Sequence, residues 1–141
     1  MQATAKVLVM GDDTRSFLAC VRSLGRQGIE VHAAPYTLEA PALASRYIQR
    51  VHLLPYYLGD GQEWLAAMQV LLQKERFDMV LPCEERSLLP LFEHREALPP
   101  GTRLAIPDER GLKAFFDKWA TRELARQEAV PVAKGVLLHD L

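Results

Sequence analysis

The chain has 141 residues, 49% of them apolar, with 17 Lys and Arg against 18 Asp and Glu. That length and apolar content suffice for one sizeable core, and the balanced charge, with no basic run, removes the electrostatic argument for nucleic acid or a membrane surface as partner. Met1 to Lys6 lacks the apolar stretch of a signal peptide, and no apolar run reaches the roughly 20 residues of a spanning helix, so a soluble, cytoplasmic protein is expected.

Val7 to Met10 is an uninterrupted apolar run, as suits a strand covered on both faces of a parallel sheet. Gly11 then permits a sharp turn, and Asp12, Asp13 and Thr14 are all competent to cap a helix. Phe17, Leu18, Val21 and Leu24 follow at one-face helical spacing. Gly28 closes that helix, and Glu30 to Ala34 reads as a second strand. Strand, helix and strand make a βαβ unit, the start of a doubly wound sheet. Leu38 to Tyr47 is polar and alanine-rich, with room for one short helix, and Val51 to Leu54 is expected as a third strand. Asp60 and Glu63 have capping-box spacing ahead of a helix marked by Trp64, Leu65, Met68, Leu71 and Leu72 and ending near Arg76.

Phe77 to Leu81 is the fourth predicted strand, closed by Pro82. Cys83-Glu84-Glu85-Arg86 follows, with both glutamates placed on the first turn of the next helix. Pro99, Pro100 and Gly101 break the chain, Leu104 to Ile106 gives a fifth strand, and Asp108 to Gln127 is helical, with Asp117 as a candidate restart. Val136 to Leu138 reads as a strand without a partner. The pattern predicts an α/β, Rossmann-like, doubly wound parallel sheet of about five strands, and the fresh strand at the end suggests an N-terminal fragment with a sticky end. Self-association, up to a homodimer, is expected from that end.

Doubly wound sheets bind ligands at the carboxyl ends of their strands, so the Gly11 to Ser16 turn and the Cys83 to Arg86 turn are the candidate sites. A dinucleotide fold would supply further glycines after the first strand; Asp12 and Asp13 would instead repel phosphate. They read equally as helix caps or as contacts to a substrate or cation, and Glu84 and Glu85 as dipole complements or ligands. Cys83 as a nucleophile with His32, His52, His94 or His139 as base has no fixed pairing, and a packed thiol is favoured. Cys20 and Cys83 imply no disulfide framework, and the scattered histidines argue against zinc. A phosphorylation receiver would need an Asp and a Lys where the chain has Leu81-Pro82-Cys83 and Ile106-Pro107-Asp108.

Three segments carry a family resemblance. Arg15-Ser16-Phe17-Leu18-Ala19 with Val21-Arg22-Ser23-Leu24-Gly25-Arg26 and Gly28, then Pro82-Cys83-Glu84-Glu85, then Asp117-Lys118-Trp119-Ala120 with Val130-Pro131-Val132, resemble in order and spacing the N-terminal, or pre-ATP-grasp, domain of ATP-grasp enzymes. The branch they are most similar to looks like the carbamoyl-phosphate synthase large chain. The resemblance implies residues 1–128 as the pre-ATP-grasp domain and 129–141 as the entry into an ATP-grasp domain. It implies an ATP-dependent carboxylate–amine ligase working through an acyl phosphate, with ATP and Mg²⁺ bound mainly by the following subdomains. No catalytic residue or metal ligand is expected within this chain, which would be inactive alone.

Carried over position by position, Gly11, Asp12, Asp13, Arg15, Glu84 and Glu85 line a small carboxylate or amine substrate, and Lys118 reaches the nucleotide phosphates. Asp12 and Asp13 stand where the family most often has small residues. The alternative is a non-catalytic Rossmann-like module for ligand binding or interaction.

Overall fold

Lys6–Met10 forms strand β1, on which the sheet is built. The computed structural model describes residues 5–136, and the chain divides into two compact units, Met1–Ile106 and Pro107–Leu141. In the first unit β1 is followed by helix α1 (Ser16–Arg26), β2 (Glu30–Ala34), a 3₁₀ turn (Pro41–Ala44), β3 (Ile48–Val51), α2 (Gln62–Glu75), β4 (Met79–Pro82), α3 (Glu85–Glu93) and a second 3₁₀ turn (Arg95–Ala97). The second unit holds α4 (Glu109–Phe116) and α5 (Lys118–Gln127).

The sheet is parallel, in the order β3-β2-β1-β4. β1 therefore pairs on both edges, Leu8 with His32 on one side and with Val80 on the other. Alternation along β1 sends Val7 and Val9 to one face, with Phe17 and Val21 of α1, and Leu8 and Met10 to the other, with Trp64, Leu65 and Met68 of α2. Covering both faces explains the unbroken apolar run and makes the sheet doubly wound. Phe17 is completely buried, and burial of a side chain that size stabilises by about 1.5–3 kcal/mol.

Among the described residues the sheet has four strands rather than five. Leu104 forms only an isolated parallel bridge with Val80, in which Val80 N–H donates to Arg103 O (2.8 Å) and Ala105 N–H to Val80 O (2.9 Å). In that register the next donors would come from residues 82 and 107. Both are proline, so the ladder stops.

β3 also differs from expectation. It begins at Ile48 and ends at Val51. As an edge strand it needs little burial, and of the apolar run after it, Leu54 leaves the sheet to pack beside the α2 face. The Asp60–Glu63 capping box does not form: Gly61 occupies the cap position of α2, and among the described residues Asp60 accepts from Gln62 N–H (3.2 Å) alone. Asp117 does restart the chain, capping α5 through the N–H groups of Trp119 (2.8 Å) and Ala120 (3.0 Å). Of the predicted final strand, Val136 has no strand structure, and Leu137 and Leu138 lie outside the described residues.

The interior admits a polar cluster around His32. His32 in β2 is fully buried. Its Nδ1 shares a hydrogen bond with His52 Nε2 (2.9 Å), and its Nε2 with Glu30 Oε1 (2.9 Å). Glu75 beside it pairs with Lys6 (3.2 Å) and Arg50 (3.3 Å). With both ring nitrogens satisfied, burial of the imidazole is tolerated. This cluster sits toward the amino ends of β1 and β2.

Two positions hold α1 in place. Asp13 satisfies its start: Oδ1 accepts from the N–H groups of Arg15 (2.6 Å) and Ser16 (2.8 Å), and Oδ2 from the Ser16 hydroxyl (2.6 Å) and Phe17 N–H (2.9 Å). The Ser16 hydroxyl, with support from these backbone donors, lowers the Asp13 pKa from 3.8 to about 2. Near the other end, a Cβ on Gly25 would meet Tyr47 Cβ and Cδ1 at 2.5 Å. Here helix and tyrosine are in direct contact, and no side chain fits between them.

Gly25→Ala should therefore destabilise by about 1–3 kcal/mol in urea titrations, despite alanine's better helix propensity, and combining it with Tyr47→Ala should recover part of that loss. Asp13→Ala should cost about 0.5–2 kcal/mol, and Asp13→Asn less, because one oxygen still accepts. A carboxyl whose pKa is lower in the folded state stabilises above its ordinary value near 3.8. The difference between wild type and Asp13→Asn should thus be full above about pH 5 and shrink as pH falls toward 2.

Candidate functional site

The strand order reverses at β1: the chain proceeds outward through β2 and β3, then returns to place β4 on the other side of β1. The crevice at the carboxyl ends of β1 and β4 is the topological switch point, where such sheets hold ligands. The turns that meet there are Gly11 to Asp13 and Cys83 to Glu85.

Contacts between these turns are close. Cys83 N–H donates to Met10 O (2.9 Å), and the Ser16 hydroxyl oxygen, whose proton goes to Asp13, lies 3.3 Å from Cys83 O. Gly11 has φ +130°, and a Cβ there would lie 3.3 Å from Glu84 Oε1 and 3.4 Å from Cys83 Cβ. Only glycine suits both the backbone and the space. Asp12 accepts from Tyr36 N–H (3.1 Å), tying the turn to the end of β2. Its own N–H points at Glu84 Oε1, at 3.5 Å.

Five of the residues singled out in the sequence, Gly11, Asp12, Asp13, Glu84 and Glu85, thus come together at the switch point. Arg15 is exposed beside them at the start of α1. Lys118 is the first residue of α5, in the second unit, and is exposed. The glutamates differ in setting. Glu84 caps α3 by position, and its Oε2 pairs with Arg86 Nη2 (3.3 Å). Glu85 opens α3 and makes no ion pair among the described residues.

This turn does not fit a nucleotide phosphate. The N–H groups of Arg15, Ser16 and Phe17, which would receive a phosphate at the start of α1, are already bonded to the Asp13 carboxylate. Nor do the described residues contain a group of three or more His, Cys, Asp or Glu able to hold a metal ion. Cys83 is not placed as a nucleophile. Burial, with Cys20 beside it, pushes its thiol well above the usual range, while His32 and His52 bond to each other and His94 Nε2 to the Tyr57 hydroxyl (3.1 Å); His139 lies outside the described residues.

Beside the crevice lies a cleft of about 360 Å³ that sequence reasoning missed. Met10 and Ala34 form its buried floor, and Tyr36, Leu54, Tyr57 and Trp64 line it. Glu85, Arg86, Leu89 and Glu93 of α3 supply the remaining side. The Arg86 guanidinium stacks on the Tyr36 ring, 4.3 Å from its centroid. Burial, helped by Glu84 and Asp12 and only partly offset by Ser87 and Arg86, raises the Tyr36 pKa to about 12. Its hydroxyl oxygen is buried, with no bond of good hydrogen-bond geometry among the described residues. Tyr57 donates to Glu93, which likewise raises its pKa to about 12. Tyr36 was discoverable: it stands two residues after β2, at a carboxyl strand end like the other two turns.

No helix among the described residues is long and apolar enough to cross a membrane. No protein-family profile matches the chain, and no curated protein matches it. Solved structures do match. The L-amino acid ligase from Bacillus licheniformis aligns with a TM-score of 0.64 and 16% identity, over 93% of this chain and 32% of that one. The biotin carboxylase domain of a single-chain bacterial carboxylase aligns with a TM-score of 0.62 and 21% identity, over 94% of this chain and 31% of that one. A single-chain, multi-domain long-chain acyl-CoA carboxylase gives 0.62 and 19% identity, over 94% of this chain and 14% of that one. The chain therefore spans about a third or less of the length of each of these proteins. Its fold, an α/β Rossmann-like domain with a parallel sheet, is one that it shares with parts of a ligase and of two carboxylases.

Proposed function

We propose that the chain is the N-terminal, substrate-side domain of an ATP-grasp protein, a carboxylate–amine ligase that activates an acid as its acyl phosphate. The observation that carries this reading is the switch-point crevice, where Gly11, Asp12, Glu84 and Glu85 converge in a fold shared with an amino acid ligase. Glutamates there suit an amine, and Arg15 at the edge suits a carboxylate.

The nucleotide belongs elsewhere in this reading. Asp13 occupies the helix N-terminus that would otherwise hold a phosphate, which supports placing the ATP and Mg²⁺ sites in an ATP-grasp domain following residue 141, with Lys118 contributing one point charge toward the phosphates. The role of this chain's residues is to bind and orient the small substrates against the activated acid, and such positioning supplies several kcal/mol of a ligase's barrier reduction. The carbamoyl-phosphate synthase-like branch is the proposed kinship within the family.

Calorimetric titration of magnesium ATP into the 141-residue chain, and into a chain continued through the proposed ATP-grasp domain, tests this. Binding is expected for the longer chain alone, followed by phosphate release that requires both an acid and an amine. Glu84→Gln should lower that release at least tenfold while nucleotide affinity stays within twofold. Tight nucleotide binding by the 141-residue chain, or a longer chain that binds no nucleotide, would replace the ligase with the ligand-binding module.

A further inference from the structure

The cleft beside the crevice has the dimensions and chemistry of a specificity pocket. Its volume of about 360 Å³ is at the small end for ligand sites, enough for one ring or branched chain. Tyr36, Leu54, Trp64 and Leu89 make its lining chiefly apolar, and Met10 and Ala34 close it below.

The charges around it are unequal in availability. Arg86 is engaged twice, by Glu84 Oε2 at 3.3 Å and by the Tyr36 ring at 4.3 Å. Glu93 accepts the Tyr57 hydroxyl. Glu85 is exposed at the edge of the cleft and makes no ion pair among the described residues. The charge left for a ligand is therefore negative, and it stands at the mouth of an apolar space. That combination attracts an ammonium group whose hydrocarbon can be buried next to it, and it disfavours a carboxylate in the same position.

We propose that this cleft binds a primary amine with an apolar body, its ammonium on the Glu85 carboxylate and its hydrocarbon against Tyr36, Leu54, Trp64 and Leu89. This rests on the ligase reading only in assigning that amine as the nucleophilic substrate; the binding itself is a property of the 141-residue chain.

Phenethylamine, its neutral isostere 2-phenylethanol and the acid 3-phenylpropionate serve as probes in backbone amide NMR titrations of the ¹⁵N-labelled chain. Phenethylamine should shift the amides of Tyr36, Leu54, Trp64 and Glu85 and bind at least tenfold more tightly than either of the others. Glu85→Gln, at an exposed position, should remove that tenfold advantage and leave 2-phenylethanol unchanged, whereas Leu89→Asp should weaken 2-phenylethanol. Equal binding of amine and alcohol, shifts confined to other residues, or no shift with any probe would overturn the proposal.

Failure of this inference is distinguishable from failure of the ligase reading. Amine-dependent phosphate release by the longer chain that is indifferent to Glu85→Gln and to the apolar body removes the pocket and keeps the ligase. Phenethylamine in the cleft without any such release does the reverse.

Discussion

Strand β1 hydrogen-bonds along both edges and is covered on both faces, and that constraint determines the rest of the first unit. Residues there have no route to solvent, so Val7 to Met10 must all be apolar, and both α1 and α2 are needed to complete their burial. Because β1 is central, its carboxyl end is also the place where chain segments from both halves of the sheet meet. The turn that leaves it must be narrow enough to let Glu84 and Cys83 approach. Gly11 satisfies that need, and the two aspartates after it anchor the turn, Asp12 to the end of β2 and Asp13 to the start of α1. Packing in the interior and geometry at the crevice are thus a single problem solved on one strand.

The carboxylates of this crevice are divided between structure and availability. Asp13 has its acceptor capacity committed to backbone and hydroxyl donors, and its depressed pKa results from those bonds. Asp12 is committed in part to Tyr36. Glu84 shares its charge with Arg86. Glu85, on the first turn of α3, makes no ion pair among the described residues. A pair of acidic turns that look equivalent in the sequence is therefore graded, from a carboxylate that maintains the fold to one open to a ligand.

Much of this was legible because it depends on local patterns. The apolar run of β1, the one-face helices after it and the turn residues at each boundary can be read from a few neighbouring residues. The placement of Gly11, Asp12, Asp13, Glu84 and Glu85 at one crevice came from the rule about strand ends. What could not be read was non-local. Val51 to Leu54 has strand composition, but it lies on an edge where burial does not decide register, and Leu54 is used by the cleft. The fifth strand failed because two prolines far apart in sequence fall on the same ladder, which neither segment discloses alone. Burial of His32 with His52 and Glu30 had no signal, since each residue taken separately looks ordinary. The cleft required knowing that the end of β2 and the start of α3 face a common space.

The separation of partners along β1 bears on how the crevice comes into being. Lys6 meets Glu30 after 24 residues, whereas Val7 meets Met79 only after 72. Tripling the loop that must close costs roughly 1 kcal/mol more in chain entropy, and contacts of such long range form late in folding. The βαβ unit can assemble early from local contacts, but Glu84 reaches Gly11 only when β4 docks. A nascent chain shorter than about 85 residues would hold the turn and its cap without the opposing glutamates, so the crevice would be completed in the last cooperative step of folding and serve as a report that the whole sheet has closed.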